Sequence, residues 1–202
     1  MPSDLWFDET THTYFVDGRR LPSVTQVLEL AGLVDKTWFT DFGRDRGTYV
    51  HEMLELDDQG DLNEDALDPQ LVPYLTAWRA CCAAAGAAWT HIEHRMADAT
   101  VGVAGTTDRV GTFAGALTIA DIKSGHPEDY IAIQLGGYAY LAELAGVVPS
   151  AKRVKRVGIF LRADATYRVV EYADRSDIDI FRAALAVAQW RLAHPRTRQE
   201  AA

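Results

Sequence analysis

The stretch Val101–Lys123, VGVAGTTDRVGTFAGALTIADIK, decides the fold. It reads as two strands folded back on one another, with Gly111 and Gly115 marking the turn. The second run, from Leu117, is apolar and β-branched until it meets Asp121 and Lys123. Side chains alternate along a strand, so Asp121 and Lys123 leave one face and Ile122 the other. Two charges on an apolar strand are costly to bury unless they pair or bind something. Asp108, on the first strand, can approach Asp121 across the ladder once the hairpin closes. Two carboxylates beside an ammonium form a suitable cage for a hard divalent cation. A D-x-K triplet by itself is common and fits an ordinary surface salt bridge equally well, so the flanking sequence carries the decision.

At 202 residues the chain suits a single domain able to bury its own core. Its hydrophobic share of 48% and charged share of 24% are those of a globular protein. No apolar run approaches the length of a membrane span, and the N-terminus lacks the pattern of a signal peptide. The two cysteines, Cys81 and Cys82, are neighbours: unsuited to bridging, and too few for a tetrahedral metal site. A reducing, intracellular location (the cytoplasm) follows as the expectation, with no membrane partner.

The net charge of −9 argues at first against a polyanionic partner. The charge is unevenly spread, because residues 151–202 hold 11 Lys+Arg against 6 Asp+Glu. Much of the acid is one block, Glu52 to Asp68, which reads as a solvated helix end and loop.

From the N-terminus, Leu5–Phe7 and Thr11–Val16 read as short strands, with a turn at Asp17-Gly18. Ser23 caps a helix with Gln26 reaching back, and Gly32 ends it. Helices are expected from Trp38 to Leu56 and over residues 69–86, then a strand Trp89–Met96 in which His91 and His94 diverge. After the central hairpin come a helix Tyr130–Ala145, strands Lys152–Leu161 and Thr166–Tyr172, and a closing helix Asp174–Ala193. That last helix is expected to face Ile178, Phe181, Leu185 and Trp190 inward. The pattern predicts one α/β (α+β) domain over 1–202: an extension over 1–36, a core over about 37–172 and the closing helix. Its sheet is mixed and mostly antiparallel, flanked by helices.

Five pieces recur in order: Arg46-Gly-Thr-Tyr-Val-His51, Glu93, Gly105-Thr-Thr-Asp108-Arg109, Asp121-Ile-Lys123 and Gln134-Leu-Gly-Gly-Tyr138. Together, over roughly residues 40–140, they resemble the PD-(D/E)xK nuclease superfamily and its restriction-endonuclease-like core. The branch they look most like is the RecB-like and phage exonuclease one. The resemblance implies that Asp108 and Asp121 bind metal, with the Ile122 carbonyl and His51 as further ligands. It implies that Lys123 is the catalytic lysine and that Glu93 acts through metal-bound water. It implies that Gln134 and Tyr138 support the site and contact DNA. CRISPR-associated members carry an iron–sulfur cysteine set that this chain lacks, so no such cluster is expected.

Phosphodiester hydrolysis needs an attacking water, charge neutralisation at the phosphoryl oxygens and a stabilised leaving oxyanion, which one or two Mg²⁺ or Mn²⁺ ions supply. An imidazole among carboxylates tilts the preference towards Mn²⁺. Arg44, Arg46, Lys152, Arg153, Lys155 and Arg156 are candidates to draw phosphates. The expected activity is a metal-dependent deoxyribonuclease, most plausibly an exonuclease in recombination, repair or phage DNA processing, acting on single- or double-stranded DNA. The alternatives are a structure- or single-strand-specific endonuclease and a non-catalytic nucleic-acid-binding subunit. A homo-oligomer or a recombination partner protein is compatible with either.

Overall fold

The computed structural model of the protein describes residues 4–34 and 41–195, with side chains from residue 46 onward in the second segment. The expected helix start at Trp38 and the side chain of Arg44 lie outside the described residues.

A three-stranded antiparallel sheet comes first: β1 (Leu5–Asp8), β2 (Thr13–Val16) and β3 (Arg19–Leu21). Asp17 and Gly18 both take positive φ at the β2–β3 turn, the conformation a two-residue hairpin requires. Helix α1 (Val24–Ala31) follows with the capping box intact: Ser23 accepts from the Gln26 N–H, and Gln26 answers at the Ser23 N–H. Gly32, left-handed, closes it.

Helices α2 (Asp41–Gln59) and α3 (Val72–Ala85) lead into the central sheet. Its strands are β4 (Ala88–Asp98), β5 (Val103–Phe113), β6 (Ala116–Lys123), β7 (Lys155–Leu161) and β8 (Tyr167–Glu171), adjacent in that order. Only β6 and β7 run parallel, because α4 (Tyr130–Leu144) carries the chain back between them. Helix α5 (Ser176–Ala193) closes the described chain. The fold is thus the mixed, mostly antiparallel sheet flanked by helices that the sequence predicts.

Two apolar cores lie on the two faces of this sheet. One joins α1, α4 and α5 to Val110, Ile119 and Phe160; the other joins α2 and α3 to Ala120, Ile122 and Ile159. Adjacent residues of one strand thus feed opposite cores, which is the pleat at work.

Three expectations need correction. The hairpin turns at Ala114-Gly115, both at positive φ, and Gly111 lies within β5. A Cβ at Gly111 would stand 2.2 Å from the Ala88 carbonyl oxygen, so glycine there admits the backbone of β4. Trp190 is 61% exposed and stacks on His194, because the buried stripe runs through Ile178, Phe181, Leu185 and Ala188. Two residues past Ala188 the helix has turned well away from the core. Finally, the rings of His91 and His94 meet at 4.5 Å. Between them Glu93 takes a left-handed φ of 43°, which breaks the two-residue alternation that would have separated them. No third metal ligand joins the pair among the described residues.

Candidate metal centre

The hairpin register sets the acids. Arg109 faces Ala120, and one step further along the ladder brings Asp108 opposite Asp121 on the face that carries α4. The strands are held together at that point by Asp108 itself, whose Oδ2 accepts the Ile122 N–H at 2.6 Å. The other oxygen is left to face the centre. His51 reaches it from α2: its Nδ1 stands 3.7 Å from Asp108 Oδ1 and 3.5 Å from Glu93 Oε1. One ligand atom from each of His51, Glu93 and Asp108 falls within 4.8 Å of the others. A helix from one layer and two strands thus converge on a single point.

The Nε2 of His51 lies 3.0 Å from the Ile122 carbonyl oxygen and donates to it in the tautomer that leaves Nδ1 facing the carboxylates. That bond fixes the ring with Nδ1 towards Glu93 and Asp108, and an imidazole nitrogen gathered with two carboxylates suits a small divalent cation.

Asp121 is not part of that close group. Its Oδ1 accepts from Lys123 Nζ at 3.0 Å; Oδ2, 2.8 Å from the same nitrogen, is buried without a hydrogen bond of its own and is left with acceptor capacity. Burial raises the pKa of Asp121, Lys123 pulls it down and Asp108 pushes it up again, leaving it at about 6. Burial works against the charge of Lys123, yet Asp121 and Asp108 outweigh it and hold the ammonium protonated well above its ordinary value. Burial likewise opposes charge on His51, and the carboxylates of Asp108 and Glu93 prevail, raising its pKa to about 9. Asp108 is pushed upward by burial, which the His51 charge only partly offsets. A dication bound here would take the place of the His51 proton between the carboxylates.

Behind the ligands stands a residue to which sequence reading assigns no role. Arg109, with 0% exposure, points into the opposite core from Asp108. It donates to Glu93 Oε1 at 3.0 Å, to the Asp108 carbonyl at 2.7 Å and to Asp58 Oδ2 at 2.7 Å, beside the Trp78 ring. Asp58 belongs to the acidic block expected to be solvated; instead it anchors this arginine and accepts the Trp78 indole N–H. The signal was in the sequence as an arginine following Asp108, but its partner lies 51 residues away.

Gln134 and Tyr138 share one face of α4, as expected, and both are buried. Gln134 donates to Thr25 Oγ1 at 2.9 Å and to Tyr138 Oη at 3.5 Å, tying α4 to α1. Between them, Gly137 allows α5 close: a Cβ there would meet the Phe181 ring at 2.6 Å. Burial, with Asp121 and Asp108 nearby, holds the Tyr138 phenol protonated.

The basic residues divide. Arg46 donates to the Ser124 carbonyl at 3.2 Å, just past Lys123 and therefore at the site end of the sheet. Arg156 is 3% exposed and binds Asp177 at 3.1 Å together with the carbonyls of Asp174 and Ala132; it joins β7 to α5 and is not available to phosphate. Lys155 pairs with Glu171 and lies opposite Thr118, whereas Lys123 lies opposite Phe160. Five residues of strand put Lys155, and the preceding turn with exposed Lys152 and Arg153, about 16 Å along the sheet from the site. The parallel β6–β7 pairing is the reason.

Residues 26–201 match the family described as the PD-(D/E)XK nuclease superfamily. No curated protein matches the sequence. Among solved structures, a chain from Eubacterium rectale that carries the provisional name exonuclease is similar at 9% identity, over 90% of each chain, with a TM-score of 0.48.

Proposed function

This chain belongs to the PD-(D/E)XK nuclease superfamily, and from that premise we propose that it hydrolyses DNA phosphodiester bonds with a divalent cation, working from strand ends as an exonuclease. The observation that carries the reading is the convergence of His51, Glu93 and Asp108 within 4.8 Å, beside the Asp121–Lys123 pair.

In this reading His51, Glu93 and Asp108 hold Mg²⁺ or Mn²⁺, and Asp121 and the Ile122 carbonyl, the other ligands the resemblance implies, lie beside them. The bound cation supplies positive charge against the phosphoryl oxygens and lowers the pKa of water. Asp108 is aimed by the Ile122 N–H, and Glu93 is aimed by Arg109. Lys123 is an ammonium at neutral pH, so its part is electrostatic: it meets the charge that grows on the phosphate rather than removing a proton. Arg46, held by the Ser124 carbonyl one residue past Lys123, is the arginine proposed to meet a substrate phosphate, while Gln134 and Tyr138 brace α4 behind the site. We propose that this chain works inside the cell, in recombination, repair or phage DNA processing, a reading that the two unbridged cysteines support. Among the described residues no helix is long and apolar enough to cross a membrane.

The test is degradation of 5′-labelled, 3′-labelled and covalently closed circular DNA with Mn²⁺ or Mg²⁺. Loss of linear but not circular DNA is expected. Opening of the circle would identify an endonuclease instead, and DNA binding without cleavage under every metal would identify a non-catalytic subunit.

A further inference from the structure

We propose that Arg162 and Arg168, on the β7–β8 hairpin, together bind one backbone phosphate of the substrate, within about three nucleotides of the phosphate that is cut. The proposal rests on the nuclease reading above and adds to it two residues that hold the DNA beyond the metal centre.

The ladder of the central sheet places both arginines. Lys123 on β6 faces Phe160 on β7, and Phe160 faces Arg168 on β8. Residues paired across a ladder share a face, so Arg168 leaves the sheet on the side of Lys123. Two strand spacings separate their backbones by about 10 Å. Two residues beyond Phe160, the Arg162 N–H donates to the Thr166 carbonyl at 3.0 Å, which extends the pairing and keeps Arg162 on that same face. Gly158, opposite Asp121, leaves room for two rings over the sheet: a Cβ there would stand 2.8 Å from Phe160 and 3.2 Å from Tyr172. The Tyr172 hydroxyl is buried with no hydrogen-bond partner among the described residues. Burial raises its pKa and Asp121 adds to this, whereas Arg168 and Lys123 pull it down. One hydroxyl thus feels the Asp121 carboxylate, the Lys123 ammonium and the Arg168 guanidinium, as their shared face requires.

The chemistry of the pair fits a phosphate. Both arginines are exposed. Neither enters an ion pair among the described residues, and the ion pairs of these two strands, Lys155–Glu171 and Arg156–Asp177, lie at the other end of the sheet. The carboxylate of the hairpin tip is already engaged: Asp164 accepts the Thr166 N–H at 3.1 Å and the Thr166 hydroxyl at 2.6 Å. Those bonds, with the Ala165 N–H on the Arg162 carbonyl at 3.2 Å, hold the tip in one conformation. Two like charges close together on one face repel, and an anion shared between them removes that cost. A guanidinium meets phosphate through a planar fork of N–H donors, and its charge does not titrate. Distance decides which phosphate is held, since 10 Å equals about three nucleotides of a duplex strand at about 3.4 Å each. β8 is the outer strand of the sheet, so DNA running from Lys123 to Arg168 leaves the protein over an open edge.

The experiment replaces single phosphodiesters of a short DNA by neutral methylphosphonates, one position at a time outward from the cut. Affinity is read by fluorescence anisotropy in the Asp108→Asn background, where strands stay uncut, and cleavage is read in the otherwise native protein. A neutral linkage at the position held by the two arginines should weaken binding about 2- to 30-fold, the worth of two exposed ion pairs. Combining Arg162→Gln with Arg168→Gln, both at exposed positions, should erase that difference while circular dichroism stays native. The slope of log affinity against log salt should also fall by about 0.9, the share of one duplex phosphate. A native protein with no sensitive position beyond the cut, or a set of sensitive positions that all survive in the double variant, overturns the proposal even if DNA is cut. A sensitive position lost in the double variant, with no cleavage by the native protein under any metal, would support the arginine pair and overturn the nuclease reading.

Discussion

Replacing Arg109 with leucine removes the side chain that aims Glu93, and its cost can be worked from the contacts. An exposed ion pair contributes little, commonly under about 1 kcal/mol. Arg109 is different: its side chain is wholly buried and three oxygens, from Glu93, Asp58 and the Asp108 backbone, depend on it. Breaking a buried pair by removing one partner costs about 3–5 kcal/mol, because the other charge stays behind without compensation. Asp58 and Glu93 keep some contact with water, at 14% and 22% side-chain exposure, which places this case near the lower end. For a chain of this length each kcal/mol moves the melting temperature by about 2–4 °C, so a fall of about 6–12 °C is expected. Arg109→Lys keeps the charge but not the planar fork that reaches several acceptors, and should fall in between. Thermal unfolding followed by circular dichroism in EDTA measures both. A melting temperature for Arg109→Leu within 2 °C of the native value would mean that Glu93 and Asp58 do not depend on this arginine.

Other outcomes follow from the same geometry. Lys123→Met should lower the turnover of Mn²⁺-dependent DNA hydrolysis by about 10²–10³-fold, measured with saturating linear substrate. His51, with a folded pKa of about 9 above its ordinary value, contributes stability fully below about pH 6.5 and loses it as pH rises through 9. Melting temperatures in EDTA should therefore decline across that window, and His51→Gln should flatten the decline; Asp121, also raised, acts in the same direction nearer pH 4–6. Arg156→Met should lower the melting temperature yet leave the salt dependence of DNA affinity unchanged, since a buried arginine releases no counterions.

The legible part of this protein was local. The alternation in β6 put Asp121 and Lys123 on one face, and the Ser23–Gln26 box marked α1, because both depend on residues a few positions apart. The union of Asp108 with Asp121 needed only a hairpin. What stayed hidden depends on long-range pairing or on one backbone angle. The Arg109–Asp58 contact crosses from β5 to α2, and the burial of Arg156 exists only once α5 has packed. The left-handed turn at Glu93 brings His91 against His94 with no glycine to announce it. The place of the basic residues at 152–156 was hidden too, since strand direction decides which end of the sheet a basic cluster occupies.

The central claim is that His51, Glu93 and Asp108 meet around a divalent cation. Titration calorimetry with Mn²⁺ measures it without any substrate. A saturable site in the native protein that disappears in Asp108→Asn, with circular dichroism unchanged, is the predicted result; the same Mn²⁺ affinity in both proteins would contradict it.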